Sequence, residues 1–161
     1  MATMMESTAT TQIYRVYIKS TPQAVWDAIT RPEWAQRYGY QAAVEFDLRP
    51  GGTYKGFASE DMKAAGTGDV IVEGEVLEAD PPHRLVQTWR PMWFDEPFTR
   101  LTYEIKEEES GLVCLTLIHE LADAPNTAAQ VAGAIENAGG GWPMVLSDLK
   151  TLLETGKSFT E

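Results

Sequence analysis

The segment "AGGGWPMVLSDLKTLLE", residues 138–154, poses the question on which the fold turns. Its second half has the apolar spacing of a helix, with Trp142, Leu146, Leu149 and Leu153 recurring every three or four residues. Yet three glycines and a proline, the poorest helix formers, crowd against the tryptophan. In an unbroken helix Pro143 would supply no amide hydrogen, and its ring would press on the carbonyl of Gly139, four residues back. Glycine there lets the backbone relax, at about 1 kcal/mol per residue relative to alanine. The stretch reads as a helix that kinks or restarts beside Trp142 and closes over a hollow.

Working outward, "NTAAQVAGAIENA" (126–138) reads as the first half of the same helical region, with Asn126 as its cap and a weak stripe of Val131 and Ile135. An apolar stripe on a terminal helix must be buried, and the strands before it offer the only large apolar surface. Those strands are written in period two. "IYRVYIKS" (13–20) is rich in β-branched and aromatic residues. "AVEFDLRPGGTYKGF" (43–57) sets Val44, Phe46 and Leu48 on one face and turns at Pro50-Gly51-Gly52 into a second strand. "DVIVEGEVLEAD" (69–80) ends at Pro81-Pro82, and "HRLVQTWR" (83–90) follows. Past the aromatic loop "PMWFDEPF" (91–98), "TRLTYEIK" sets Thr99, Leu101, Tyr103 and Ile105 against Arg100, Thr102, Glu104 and Lys106. "LVCLTLIHEL" closes the series after the acidic turn "EEESG". Consecutive strands with short turns make an antiparallel meander.

Two short helices interrupt this pattern after the first strand. In "TPQAVWDAIT" Thr21 suits an N-cap and Pro22 the first helical position, with Val25, Trp26 and Ile29 as the buried stripe; "RPEWAQRY" repeats the device with Pro32. The expected fold class is therefore α+β, a curved antiparallel sheet gripping a long C-terminal helix. The expected organisation is a flexible segment 1–11, one domain over 12–157 and a tail at 158–161.

Composition narrows the partners. A net charge of −11 opposes contact with phosphate backbones and anionic membranes, so neither nucleic acid nor a membrane is expected. The lone cysteine, Cys114, cannot form an internal disulfide. "MATMMESTATT" has neither the basic patch nor the apolar run of a signal peptide, so the expected location is cytoplasmic.

The segments "TPQAVWDAIT", "FDLRPGGTYKG", "GEVLEADPPHRLVQTW", "LTLIHE" and "GGGWPMVLSDLKTLL" resemble, in order and spacing, the SRPBCC (START/Bet v 1-like) superfamily. Within it they are similar to the branch named after the C-terminal domain of the activator of Hsp90 ATPase, over roughly residues 12 to 155. The resemblance implies a helix-grip fold around an apolar cavity used for lipids, polyketides or other hydrophobic molecules, with catalysis the exception. The eukaryotic activators carry a further N-terminal domain for chaperone contact that does not occur in these residues, so direct Hsp90 contact is not expected.

The residues assigned to the ligand are Trp34, Tyr38, Phe57, Gln87, Trp89, Trp93, Tyr103, His119 and Trp142. Period-two counting aligns Gln87 with Leu85 and Trp89, Tyr103 with Leu101 and Ile105, and His119 with Leu115 and Leu117, so these three are the polar groups expected to face the hollow. Trp93 and Phe94, bulky residues in a Pro-bounded loop, suit a pocket rim; loops 57–68 and 91–98 would form its entrance with the Gly139–Pro143 bend. No metal is expected, because Cys114 and His119 lie an odd number of residues apart on one strand and point to opposite faces. No cofactor is expected: "RPGGTYKG" lacks the Gly-Lys-Ser/Thr ending of a phosphate loop, and there is no Gly-x-Ser-x-Gly elbow. The function expected is binding of a small hydrophobic or amphipathic molecule. The alternatives are a cyclase, aromatase or hydrolase with His119 or Tyr103 moving a proton, and a stress-associated co-chaperone-like module. A homodimer through the aromatic loop or a sheet edge is left open.

Overall fold

Alternating burial along the chain builds a seven-stranded antiparallel sheet in the computed structural model, which describes residues 10–160. The strands are β1 (Thr11–Lys19), β2 (Val44–Phe46), β3 (Thr53–Phe57), β4 (Val70–Asp80), β5 (Arg84–Pro91), β6 (Thr99–Glu109) and β7 (Leu112–Glu120). The helices are α1 (Pro22–Thr30), α2 (Pro32–Ala35), α3 (Glu60–Ala64), α4 (Pro125–Val131) and α5 (Gly141–Thr155). The sheet order is β1-β7-β6-β5-β4-β3-β2. After β1 the chain crosses through α1 and α2 to the far edge, then meanders back strand by strand until β7 pairs with β1. The helix-grip α+β architecture follows, with α5 against the concave face.

Register decides which side chains face inward. Opposite one another on β6 and β7 stand Leu101 and His119, Tyr103 and Leu117, and Ile105 and Leu115. Leu101, Leu115 and Leu117 are wholly buried with Leu149 and Leu152 of α5, so the helix and the centre of the sheet share one core. Irregular pairing at Gly56/Phe57 and at Val76/Glu78 breaks the ladders on both sides of β4, and such breaks bend a sheet. Helix α1 starts as its sequence predicts: the Thr21 hydroxyl oxygen accepts the Ala24 amide at 3.2 Å, and Val25, Trp26 and Ile29 are buried.

Four expectations are corrected. Of the segment expected to be flexible, residues 1–9 lie outside the described residues, but Thr10 accepts the Leu121 amide at 2.7 Å and Thr11 already belongs to β1. Leu48 does not continue the inner face of β2, because the strand ends at Phe46 and Leu48 is exposed. Helix α4 is much shorter than 126–138, stopping at Val131. Nor is Asn126 its cap: it lies inside the first turn, and Ala124 occupies the cap position without a side-chain bond.

The opening question now has its answer: the second helix restarts. The backbone takes positive φ at Gly133, Asn137 and Gly139 between α4 and α5, and at Gly141 where α5 begins, which no continuous helix allows. Pro143 thus falls in the first turn of α5, where an amide hydrogen has no intrahelical acceptor. Two of the glycines are also required by close approach. A Cβ on Gly139 would lie 2.5 Å from the Tyr40 ring, and one on Gly141 would lie 2.2 Å from the Val131 carbonyl oxygen.

The C-terminal residues beyond α5 are docked. Asp148, fully buried on the helix, accepts the Gly39 amide at 2.9 Å, the Ser158 hydroxyl at 2.7 Å, the Phe159 amide at 2.8 Å and the Thr160 hydroxyl at 2.9 Å. Burial pushes its carboxyl pKa up, but these donors outweigh that and hold it below the usual carboxylate range.

Candidate functional site

A cavity of about 660 Å³ lies between the sheet and the restarted helix. The unwound stretch between α4 and α5 contributes one wall through Ile135, Asn137 and Ala138, so the interruption in the helix makes part of the site. Trp142 and Val145 on α5, Trp89 on β5 and Tyr103 on β6 form walls from the regular elements; Trp93 and Phe94 from loop 91–98, with Met62 and Thr67 from the 57–68 segment, line it from the loop side. Among the described residues no aspartate, glutamate, lysine, arginine or histidine lines it.

Five of the residues assigned from sequence meet here: Tyr38, Trp89, Trp93, Tyr103 and Trp142. Trp34, Phe57, Gln87 and His119 do not line the cavity. Trp34 packs partly buried against the core, with the Arg37 guanidinium 5.1 Å from its ring centroid. The irregularity at Gly56/Phe57 takes Phe57 out of the alternation, leaving Tyr54 and Gly56 on the inner face. Gln87 is buried; its amide nitrogen reaches the Thr88 carbonyl at 3.3 Å and its Oε1 has no partner.

His119 lies beneath the aromatic wall rather than on it. Its ring centroid is 5.2 Å from that of Trp89 and 6.0 Å from that of Trp142. The Trp142 indole N–H donates to Nδ1 at 3.1 Å, and Nε2 stands 2.7 Å from the Thr99 hydroxyl, which donates its own proton to the Trp89 carbonyl at 2.7 Å. Burial lowers the imidazole pKa to about 3, so the ring is neutral with both nitrogens engaged.

Three tyrosines gather at the cavity. Burial pushes the Tyr38 phenol up, helped by Tyr54 and Asp148. It pushes Tyr54 up to about 12 although the Trp89 indole hydrogen-bonds to that phenol and works the other way. Tyr103 is raised by burial first and then by the nearby Tyr54 and Tyr38. All three remain protonated near neutral pH, and the Tyr38 hydroxyl donates to the Ala28 carbonyl at 2.9 Å.

Sequence reasoning missed several lining residues, among them Phe46, Tyr54, Tyr40 and Met62. Tyr54 was within reach: counting out from the Pro50 turn pairs it with Phe46, and the two rings stand 4.6 Å apart. No sequence signal marks the contacts that fasten the mouth. The Glu96 carboxylate accepts the Asn126 amide at 2.9 Å, the Thr127 amide at 2.8 Å and the Thr127 hydroxyl at 2.7 Å, capping α4 from across the entrance. Burial raises the Glu96 pKa, but those donors bring it below the usual carboxylate range. The Trp93 indole donates to Gln130 Oε1 at 2.7 Å, a second tie between loop 91–98 and α4.

Residues 19–154 match the family model described as activator of Hsp90 ATPase homolog 1-like protein. The chain belongs to that family. As a member of the activator of Hsp90 ATPase homolog 1-like family it shares the SRPBCC helix-grip fold. No curated protein matches it. Among solved structures, CalU16 from Micromonospora echinospora is similar with a TM-score of 0.64 and 23% identity, over 91% of this chain and 77% of that one. Protein MLL2253 from Mesorhizobium loti gives a TM-score of 0.66 and 21% identity, over 89% of this chain and 96% of that one. PFC0360w, an HSP90 activator from Plasmodium falciparum, gives 0.59 and 22%, over 94% and 92%. At such identities the likeness is one of fold.

Among the described residues no group of three or more histidine, cysteine, aspartate or glutamate side chains could hold a metal ion, and no helix is long and apolar enough to cross a membrane.

Proposed function

We propose that this protein binds a small hydrophobic or amphipathic molecule, of lipid or polyketide character, between its sheet and α5, and that it does so in the cytoplasm. The observation that carries the reading is the cavity itself: about 660 Å³ falls within the range of small-molecule sites, about 300 to 1,000 Å³, and aromatic and aliphatic side chains dominate its lining. Apolar surface buried on such walls contributes roughly 25 cal/mol per Å². Binding is favoured over proton-transfer chemistry because His119 has both nitrogens engaged away from the cavity, and the tyrosines that line it are held protonated. The cytoplasmic reading rests on the free, buried Cys114, which suits a reducing compartment.

The test is gentle native mass spectrometry of the protein taken directly from cells, followed by titration of the stripped protein with 1-aminoanthracene. A retained small-molecule adduct lost on denaturation, or saturable one-to-one uptake of the dye, is expected. Absence of both would overturn the reading, and a retained protein in place of a small molecule would favour a chaperone-linked role of the kind stated for PFC0360w.

A further inference from the structure

The polar atoms around the cavity are unevenly committed. Tyr38 spends its hydroxyl proton on the Ala28 carbonyl at 2.9 Å, and the Tyr40 oxygen accepts the Gly141 amide at 2.9 Å. The indoles of Trp93 and Trp142 donate to Gln130 and His119, and that of Trp89 faces the Tyr54 oxygen. Several lining groups remain, among them the buried Thr67 hydroxyl, which has no partner, the Tyr40 hydroxyl proton, and two phenols on the sheet. The Tyr103 hydroxyl makes no hydrogen bond within the described residues, and Tyr54 has no acceptor for its own proton. A donor that faces a hollow with apolar walls gains most from a ligand that brings it an acceptor, and among the described residues the walls carry no charged side chain to balance an ionised ligand.

We infer that the cavity selects uncharged molecules carrying a hydrogen-bond-accepting oxygen, such as a ketone or quinone carbonyl, and that the Tyr103 hydroxyl is the donor that selects them. The inference rests on the binding function proposed above and narrows its ligand class. Tyr103 stands at the centre of the sheet, opposite Leu85 and Leu117, both wholly buried, so its ring has a rigid floor. Tyr54 arrives from β3 close enough to affect Tyr103 electrostatically, which brings these two phenols to one region of the wall. The Trp89 and Trp142 rings, 5.9 Å apart between centroids, offer flat apolar surface for the rest of the molecule. A carboxylate in the same place would lose its hydration and gain no cation in return.

Three probes of one skeleton separate the effects: 2-ethylnaphthalene, 2-acetylnaphthalene and 2-naphthoate, titrated at pH 7 while the indole N–H signals of Trp89 and Trp142 are followed by nitrogen-15 NMR. The ketone is expected to bind up to about tenfold more tightly than the ethyl compound. The naphthoate is expected to bind more weakly than either. Tyr103→Phe should abolish the advantage of the ketone over the ethyl compound. Naphthoate binding as tightly as the ketone, or a ketone advantage that survives Tyr103→Phe, overturns the inference while leaving the binding function standing. If none of the three moves the indole signals, both fall. Should Tyr103→Phe fail to fold, the ranking of the three probes on the unaltered protein decides alone.

Discussion

The Trp142 indole N–H and the His119 ring are joined at 3.1 Å, tying the first turn of α5 to the buried end of β7. Because Nδ1 accepts, the ring proton sits on Nε2 and points to Thr99, and every polar atom in the series is satisfied. Trp142→Phe keeps an aromatic ring but leaves Nδ1 as a buried acceptor without a donor. The expected loss is about 1 to 3 kcal/mol of unfolding free energy in urea titrations. An unchanged midpoint would show that the indole contributes only packing.

The same histidine sets an acid limit. Its pKa rises from about 3 folded to about 6.5 unfolded, so between those values the unfolded chain binds a proton that the native chain refuses. Stability contributed by the neutral ring is complete above pH 6.5 and falls as pH drops toward 3, by up to about 1.4 kcal/mol per pH unit. Denaturant titrations at pH 6 and pH 5 should show this slope, and His119→Gln should flatten it. Equal slopes in the two proteins would refute the assignment.

Glu96 fastens loop 91–98 to the start of α4 with three accepted hydrogen bonds. Glu96→Ala should cost about 1 kcal/mol, the usual value of a lost cap, and should speed hydrogen exchange at the Asn126 and Thr127 amides. Since the same loop carries Trp93 and Phe94 at the cavity, 1-aminoanthracene should also leave faster from this variant in stopped-flow displacement. Unaltered exchange at the two amides would mean that the tie does not hold the mouth.

Asp148 holds the C-terminal residues and the Gly39 turn at once. Asp148→Ala strands several buried donors, and a loss of about 3 kcal/mol is expected, seen as a melting point lower by roughly 6 to 12 °C. Carboxypeptidase should trim residues after Lys157 in the variant and spare them in the parent. Equal trimming would show that the tail is held by other contacts.

The strands were legible because a sheet buried on one face imposes period two on its sequence, as Thr99, Leu101 and Ile105 on β6 and Val113, Leu115, Leu117 and His119 on β7 show. Thr21 and Pro22 announced α1 because capping is a local transaction between a side chain and the next turn. What could not be read was long-range. Glu96 caps a helix 31 residues further on, and Asp148 looks like an ordinary polar position on an amphipathic helix until the chain folds back upon it. Of the four assigned residues that do not line the cavity, the two on central strands share a cause. Period two says which face a side chain occupies, but not which part of that face the helix covers, so Gln87 and His119 point inward yet lie under packing instead of beside open space.

The docking of residues 158–160 onto Asp148 bears on how the chain can be altered. Most of the groups that satisfy this carboxylate arrive after α5 has ended, and only the Gly39 amide reaches it from elsewhere. A cut or a bulky graft placed just past Gly156 would therefore strand a negative charge in the interior, and a helix well away from the altered site would feel the damage.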